Sequence, residues 1–308
     1  MGIDPNAVEF LLCAKELGAD FSATAMLGRQ GLHLDPARLQ SILRKAGHSL
    51  ERETVSQWFE SGGGFAEPLL EFLGAELCES FDYSRFEGAN YVWDMNETLP
   101  EQFKNKYSVV VDCGTLEHIF NVPRAIQGMM EMTKEGGHTL IVTPANNFCG
   151  HGFYQFSPEL FYASFAEGNG FKVVAMVAYE DQAYSKWFIV RNPKELQRRI
   201  MFTNSAPTYL AILAKRTKWQ EVLQQSPQQS DYVAAWRNAA VGTGYPFQRS
   251  CDKESRSALA TLPTLLGRIA YRGLLWVKQL ISPGSGLGCF EPISRQSLVG
   301  QISHRVVR

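Results

Sequence analysis

The stretch YSVVVDCGTLEH, residues 107–118, decides the fold class. Its run of β-branched residues is typical of a strand buried on both faces, and the sequence Asp-Cys-Gly closes that strand. Residues 122–134 then show the apolar spacing of an amphipathic helix, and the run TLIVTP, residues 139–144, predicts the next buried strand. A strand, a helix and a second strand in this order indicate a βαβ unit, and therefore a parallel sheet.

The alternation of strands and helices continues on both sides of this unit. Further strands are predicted at residues 21–28, 75–82, 91–96, 172–180, 185–193 and 208–216. Further helices are predicted at residues 6–18, 35–47, 65–73 and within 157–171. No long helix separates the last two strands, which indicates an antiparallel hairpin. We therefore predict an α/β fold: a doubly wound, mostly parallel seven-stranded sheet with an antiparallel edge hairpin.

The character of the sequence changes after residue 216. A polar, Gln-rich segment is followed by apolar sequence with interspersed Arg and Lys, and the tail from Ser282 is rich in Gly, Ser and Pro. We predict an α/β domain over residues 1–216 and a helical extension with a loose tail over residues 217–308. Residues 265–281 could form an amphipathic helix on a membrane surface, although packing on the main domain or a homodimer contact is the simpler interpretation.

The overall composition excludes several classes of function. The chain has 30 Lys and Arg against 31 Asp and Glu, so it lacks the basic surplus expected of a nucleic-acid-binding protein. Six scattered cysteines form no C-x-x-C pair, which argues against a zinc or dithiol site and favours a reduced, cytoplasmic setting. No apolar run reaches the roughly 18 residues of a membrane span, and the first residues do not resemble a signal peptide.

Ligands of parallel α/β sheets bind beyond the carboxyl ends of the strands, so the residues that follow each strand are the candidate binding residues. Gly28 follows the first strand, where a glycine lets the backbone approach a ligand closely. Asp82 ends the second strand and could accept hydrogen bonds from both hydroxyls of a ribose, or it could cap the following turn. Asp94 and Asn96 follow the third strand and could contact an adenine, or they could form an Asx-turn.

The segment from Tyr107 to Pro144, with its LEH motif, GG turn and closing Thr-Pro, resembles the second half of a class I S-adenosylmethionine-dependent methyltransferase. The resemblance implies a Rossmann-like fold and S-adenosylmethionine as cofactor. It departs from the family after the first strand, where LGRQG replaces the usual G-x-G-x-G. The cofactor-binding residues that the resemblance implies, taken with this altered loop, are Gly28, Arg29, Gln30, Asp82, Asp94, Met95, Asn96, Cys113 and Gly114.

The loop GHGFYQF, residues 150–156, follows the fifth strand, which in this family lies beside the acceptor pocket. His151 is a candidate general base and His118 is the second; the alternative for each is a structural histidine. Phe153, Tyr154 and Gln155 are candidate acceptor contacts, although these rings together with Phe156 could instead form a small core that holds the loop.

The segment Gly114–His118 resembles a metal-binding motif of some relatives, E-x-x-E-H. Glu117 is a further candidate acceptor contact, or a helix N-terminal charge. Gly114 replaces the first acid of the motif, so we expect no required metal.

Taken together, the sequence predicts a methyltransferase for a small-molecule or glycan-type acceptor. One alternative is a non-catalytic methyltransferase-like scaffold or binding subunit. A second is a nucleotide-dependent oxidoreductase, which the absence of G-x-G-x-x-G after the first strand and of a suitable Tyr-x-x-x-Lys pair disfavours.

Overall fold

The computed structural model describes residues 2–60, 62–182, 185–197, 199–201, 203–240 and 290–306. The segment 265–281, whose sequence could form an amphipathic helix, lies outside these residues. No helix within the described ranges has the length and apolar character needed to cross a bilayer.

Nine strands of the described residues form one sheet, in the order β11-β9-β8-β10-β7-β6-β2-β4-β5. These strands are β2 (Ala23–Leu27), β4 (Leu77–Asp82), β5 (Tyr91–Val92), β6 (Tyr107–Cys113), β7 (Thr133–Asn146), β8 (Phe171–Glu180), β9 (Trp187–Val190), β10 (Thr208–Arg216) and β11 (Phe290–Ile293). Strands β5, β4, β2, β6 and β7 pair in parallel, whereas the pairs beyond β7 are antiparallel. A separate two-stranded parallel sheet joins β1 (Gly2–Ile3) to β3 (Gly31–Leu32).

Helices flank both faces of the large sheet. They are α1 (Pro5–Glu16), α2 (Pro36–Lys45), α3 (Arg52–Glu60), α4 (Glu67–Phe72), α5 (Val122–Met132), α6 (Pro158–Ser164), α7 (Pro193–Leu196), α8 (Ser230–Ala240) and α9 (Arg295–Val306). Asp4 and Asp35 cap α1 and α2 through their carboxylates, and a proline follows each cap. These caps explain why both helices begin close to the predicted positions.

The core consists of two hydrophobic layers separated by the sheet. All seven residues of β6 are buried, and its side chains alternate between the layers: Val109 and Val111 pack with α1 on one face, and Val110 packs with α5 on the other. The predicted α/β class with a mostly parallel sheet is confirmed.

Three details of the prediction require correction. The last two predicted strands do not form a hairpin with each other, because β10 lies between β7 and β8, and β9 pairs with β8 instead. Among the described residues the sheet has nine strands rather than seven: all eight predicted strand segments join it, and residues Phe290–Ile293 pair with the open edge of β9 as the ninth strand. Residues 290–306 are therefore not a loose tail. Leu298 of α9 is buried against α1, and Arg295 forms an ion pair with Glu16. The apolar pattern of the tail covers too few residues to predict that it packs against α1, whose Glu16 lies 279 positions before Arg295.

The order of the strands defines where a ligand can enter. The chain proceeds from β2 outward to β4 and β5, and then returns to the other side of β2 as β6 and β7. In doubly wound sheets the connections on the two sides of such a reversal diverge, so the carboxyl ends of β2 and β6 are the expected position of a ligand crevice.

Candidate functional site

The strand register aligns the candidate residues at one edge of the sheet. Leu27 is paired with Phe81 of β4 on one side and with Asp112 of β6 on the other. The next residues along these three strands, Gly28, Asp82 and Cys113, therefore reach the carboxyl edge together. Asp82 is in turn paired with Val92 of β5. The predicted residues at the ends of β2, β4, β5 and β6 therefore lie along the same edge of the sheet.

Gly28 begins the altered glycine loop with a φ of 66°, in the left-handed region that favours glycine. Its N–H donates a hydrogen bond to the carbonyl oxygen of Phe81 at 2.7 Å. Arg29 is held by the protein: its Nε lies 2.7 Å from the Glu67 carboxylate, and its guanidinium stacks 3.9 Å above the Phe65 ring. A contact between Arg29 and a ligand would have to coexist with these partners or replace them.

Gln30 lies in the crevice between β2 and β6. The side chain is fully buried, and Nε2 donates to the carbonyl oxygen of Leu27 and to Oγ1 of Thr115. The buried Oε1 has no hydrogen-bond partner among the described residues. An unpaired buried carbonyl is costly, so this acceptor is a feature of the carboxyl edge that the described residues leave unexplained.

The two acids after β4 and β5 differ in how many partners they already have. Asp82 is half-buried and accepts one long hydrogen bond, 3.3 Å, from the N–H of Ser84. Oδ1 of Asp94 accepts from both the N–H and the Nδ2 of Asn96, at 2.9 and 2.7 Å, which is the Asx-turn alternative. Oδ1 of Asn96 in turn accepts from the N–H of Asn121 and so ties the β5 loop to the β6 loop.

Met95 and Cys113, two further predicted cofactor contacts, have buried side chains. Met95 packs in the same hydrophobic layer as α5, and Cys113 packs in the opposite layer with α1. Burial raises the pKa of the Cys113 thiol well above its ordinary value. The neighbouring Gly114 has a φ of 95°, so its turn at the carboxyl edge favours glycine.

Two buried acids, Asp112 and Glu117, lie behind this edge. Asp112 accepts hydrogen bonds from the N–H groups of Thr115 and Leu116, at 2.9 and 3.4 Å, and stabilises the turn after β6. Burial raises the pKa of both carboxyl groups, and the charge of Asp112 raises that of Glu117 further. Asp112 stands where the sequence ends the β6 run, but it is not among the predicted site residues, because the sequence does not reveal the backbone N–H groups that its carboxylate accepts from.

Glu117 connects the turn after β6 to the loop after β7. Its Oε2 accepts from Oγ1 of Thr143 at 3.2 Å, and its backbone carbonyl accepts from the N–H of Phe153 at 2.7 Å. Gly152 approaches so closely that a Cβ there would lie 2.6 Å from the Glu117 carbonyl oxygen. The glycine is therefore required by this close approach, and the loop is fixed beside Glu117.

Glu117, His118 and His151 converge at this junction. The Glu117 side chain is only 1% exposed, and its Oε1 lies 3.5 Å from Nε2 of His151, which is 47% exposed. The two imidazole rings meet edge to face with centroids 5.0 Å apart. Partial burial and the neighbouring His151 lower the pKa of His118. One potential ligand atom from each of the three residues lies within 4.8 Å of the others.

The aromatic residues of the 150–156 loop divide into two groups. Phe156 is buried and packs edge to face against Phe161. Phe153 is 67% exposed and meets Phe120, itself 72% exposed, with centroids 6.0 Å apart. The hydroxyl of Tyr154 donates to the carbonyl oxygen of Phe120 at 2.9 Å.

Polar contacts complete the fixation of this loop. Oε1 of Gln155 accepts from the N–H of Phe148 at 2.7 Å, so this amide already has a structural partner. Nδ2 of Asn147 donates to the carbonyl oxygens of Asn204 and Ala206. No local sequence pattern links Asn147 to Asn204, because the two residues are 57 positions apart.

Comparison with known proteins gave matches in structure alone. No family model matches the sequence, and no curated protein matches it. The similar solved structures include methyltransferases, the class that the sequence resembles.

Three of these structures illustrate the likeness. The trans-methyltransferase CalH is 12% identical, with 69% of this chain and 57% of that chain covered and a TM-score of 0.37. The 1,6-didemethyltoxoflavin-N1-methyltransferase from Burkholderia thailandensis is 10% identical, with 70% and 78% covered and a TM-score of 0.33. TehB from Haemophilus influenzae is 16% identical, with 57% and 66% covered and a TM-score of 0.33. At these scores, the likenesses carry no conclusion about the reaction or acceptor of this chain.

Proposed function

We propose that this chain is an S-adenosylmethionine-dependent methyltransferase that acts on a small-molecule or saccharide acceptor. The observation that best supports it is the alignment of Gly28, Asp82 and Cys113 at the carboxyl edge, with the unpartnered Oε1 of Gln30 in the crevice beside them. An α/β sheet binds its ligand at this place, where the strand order reverses. An elongated ligand with a ribose, an adenine and a charged amino-acid end could contact the loops after β2, β4, β5 and β6 together.

The residues fit such a cofactor in three groups. Asp82 would bind the ribose hydroxyls, since its carboxylate accepts only one long hydrogen bond from the described residues. The β5 loop, with Asp94, Met95 and Asn96, would border the adenine. The methionine end would lie against the group that surrounds the crevice, namely Gly28, Arg29, Gln30, Cys113 and Gly114. The unpartnered Oε1 of Gln30 could accept a hydrogen bond from the ammonium of that end.

S-adenosylmethionine, when bound, supplies an electrophilic methyl group on a sulfonium for in-line transfer. The residues of this chain would orient the acceptor, exclude water and take up a proton where the acceptor is a hydroxyl. His151 is the leading candidate for that proton, because the Glu117 carboxylate faces its Nε2 and would stabilise the imidazolium. His118 is the second candidate. The exposed rings of Phe120 and Phe153 offer apolar faces to the flat side of a sugar or another ring.

A non-catalytic subunit with this fold remains the alternative function. Two side chains of the altered loop favour it: Arg29 is paired with Glu67, and Gln30 partly fills the crevice. In that case, the exposed Phe120 and Phe153 would bind a partner rather than an acceptor.

Calorimetric titration with S-adenosylmethionine and S-adenosylhomocysteine, with NAD as the control, separates these functions. We expect micromolar binding of the first two ligands and none of NAD. The absence of binding by a folded sample would overturn the enzyme proposal in favour of the non-catalytic subunit. Binding of NAD alone would favour the oxidoreductase.

Replacing Gln30 tests how the altered loop contacts the cofactor. In Gln30→Leu the side chain keeps its approximate size but loses the unpartnered acceptor, so the affinity for S-adenosylmethionine should fall about tenfold, as expected for one hydrogen bond to a charged group. Methylthioadenosine lacks the amino-acid end and should bind the variant and the wild type equally in the same calorimetric assay. Equal losses for both ligands would show that Gln30 supports the crevice without contacting the methionine end.

A further inference from the structure

We propose that Glu117, His118 and His151 form a binding site for one divalent transition-metal cation at the junction of the β6 and β7 loops. The three ligand atoms lie within 4.8 Å of one another, and they belong to one buried carboxylate and two exposed imidazoles. The expectation of no required metal rested on the replacement of an upstream acid by Gly114. The fold supplies a different third ligand, His151, from a loop that follows another strand. This inference is independent of whether the chain transfers methyl groups.

The distances fit a compact site. Ligand atoms about 2.0–2.2 Å from a tetrahedral zinc ion are about 3.4 Å from each other. Oε1 of Glu117 and Nε2 of His151 are already 3.5 Å apart. The remaining adjustment, from at most 4.8 Å, requires only rotation of the exposed histidine side chains.

The buried carboxylate provides an independent reason for a ligand at this position. Oε1 of Glu117 has no hydrogen-bond partner among the described residues, although the side chain is only 1% exposed. Burying an unpartnered carboxylate oxygen is costly, and coordination to a cation would offset that cost. The same oxygen faces His151, so a cation bound by both residues would lie at the exposed mouth of the cluster.

The protein also holds the cluster in position. Oγ1 of Thr143 donates to Oε2 of Glu117 and leaves Oε1 directed towards the histidines. The N–H of Phe153 binds the Glu117 carbonyl, so the loop that carries His151 is attached to the same residue. Such outer contacts orient metal ligands in proteins and contribute to their affinity.

The donor set selects the class of cation. Two imidazoles and one carboxylate suit Zn²⁺, Co²⁺ and related transition metals, whereas Mg²⁺ and Ca²⁺ prefer oxygen ligands alone. Three protein ligands leave at least one coordination position open. That position would face the side where Phe120 and Phe153 are exposed, so an acceptor hydroxyl could occupy it. The two histidines would then act as ligands, and the cation would acidify the hydroxyl in place of a histidine base.

Cobalt titration of the full-length, chelator-treated protein tests the proposal. We expect one Co²⁺ per chain, bound with micromolar affinity and visible as d–d absorption, and displacement of Co²⁺ by Zn²⁺. The substitutions His118→Ala, His151→Ala and Glu117→Gln should each weaken binding at least tenfold, and Thr143→Val should weaken it about tenfold through the orientation of Glu117. His33→Ala, which removes an exposed histidine elsewhere, should bind as the wild type does.

Circular dichroism identifies any variant that fails to fold. If Glu117→Gln is such a variant, the substitutions of the two exposed histidines still test the proposal. The absence of Co²⁺ binding by the wild type would overturn the proposal. Binding that survives both histidine substitutions, or that His33→Ala abolishes, would also overturn it, because the cation would then bind elsewhere. Titration with S-adenosylmethionine is a separate measurement, so failure of either proposal can be recognised without the other.

Discussion

Asp82→Ala should lower the affinity for S-adenosylmethionine about 100-fold, or about 2.7 kcal/mol. Asp82 ends β4 at the carboxyl edge, next to Gly28, and in the part of the chain that the structure describes its carboxylate accepts only one long hydrogen bond. Its remaining acceptor capacity suits the two hydroxyls of a ribose. A hydrogen bond to a charged group contributes about 1.5–3 kcal/mol, so the loss of two, partly replaced by water, gives the expected effect.

Calorimetric titration of Asp82→Ala should therefore show a dissociation constant about 100-fold above the micromolar value of the wild type, with an unfolding transition close to that of the wild type. Glu97→Ala is the matched control, because it removes a negative charge from an exposed residue of the neighbouring β5 loop. Its affinity should stay within about twofold of the wild type. If Asp82→Ala binds the cofactor normally, Asp82 only caps the turn to Ser84, and the ribose site must lie elsewhere.

The sequence predicted the fold well where local patterns reflect the tertiary environment. The β-branched run of β6 indicates burial on both faces, and its neighbours Val109 and Val110 do point into opposite hydrophobic layers. The capping acids Asp4 and Asp35 begin their helices close to the predicted positions. The β11 strand could not be found in the same way, because its partner strand β9 is about 100 residues away.

The candidate site was only partly predictable, for the same physical reason. Knowing which residues follow a strand indicates which of them approach the carboxyl edge, and this rule led to Asp82 and to the 150–156 loop. The rule does not indicate which of these side chains already have hydrogen-bond or ion-pair partners within the protein. Arg29 is paired with Glu67, and Gln155 binds the backbone of Phe148. These partners became visible only once the fold had brought distant segments together.

The convergence of Glu117 with His151 shows what a motif search misses. Glu117 and His118 are adjacent in sequence, but His151 reaches them through the close approach of Gly152 to the Glu117 carbonyl. By the spacing of the E-x-x-E-H motif, Gly114 in place of the first acid removes one ligand. The fold brings His151 from the loop after β7 to Glu117 and His118, as a potential third ligand. The proposed methyl transfer and the proposed metal binding would make separate demands on the same junction, and the cofactor and cobalt titrations measure them separately.

Arg216→Met should lower the free energy of unfolding by about 3 kcal/mol. Arg216 ends β10 and is fully buried; its Nη1 donates to the carbonyl oxygens of Met130 and Thr133, and its Nη2 to that of Gln220. Its guanidinium also stacks 3.8 Å from the Trp219 ring. Burial lowers its pKa to about 10, so the side chain stays charged at neutral pH.

The size of the effect follows from the acceptors that the substitution leaves behind. Methionine fills much of the same volume but cannot donate. The carbonyl oxygens of Met130, Thr133 and Gln220 then each lose a hydrogen bond, at about 1 kcal/mol or more, and that of Lys218 loses a longer one of 3.4 Å. Urea unfolding followed by circular dichroism measures the change. Lys215→Met removes the same charge from an exposed neighbour on β10 and should change stability by no more than about 0.5 kcal/mol. Equal stability of Arg216→Met and the wild type would show that water can replace the guanidinium. In that case, Arg216 would not be needed to connect the turn after β10, through Gln220, to the end of α5, through Met130.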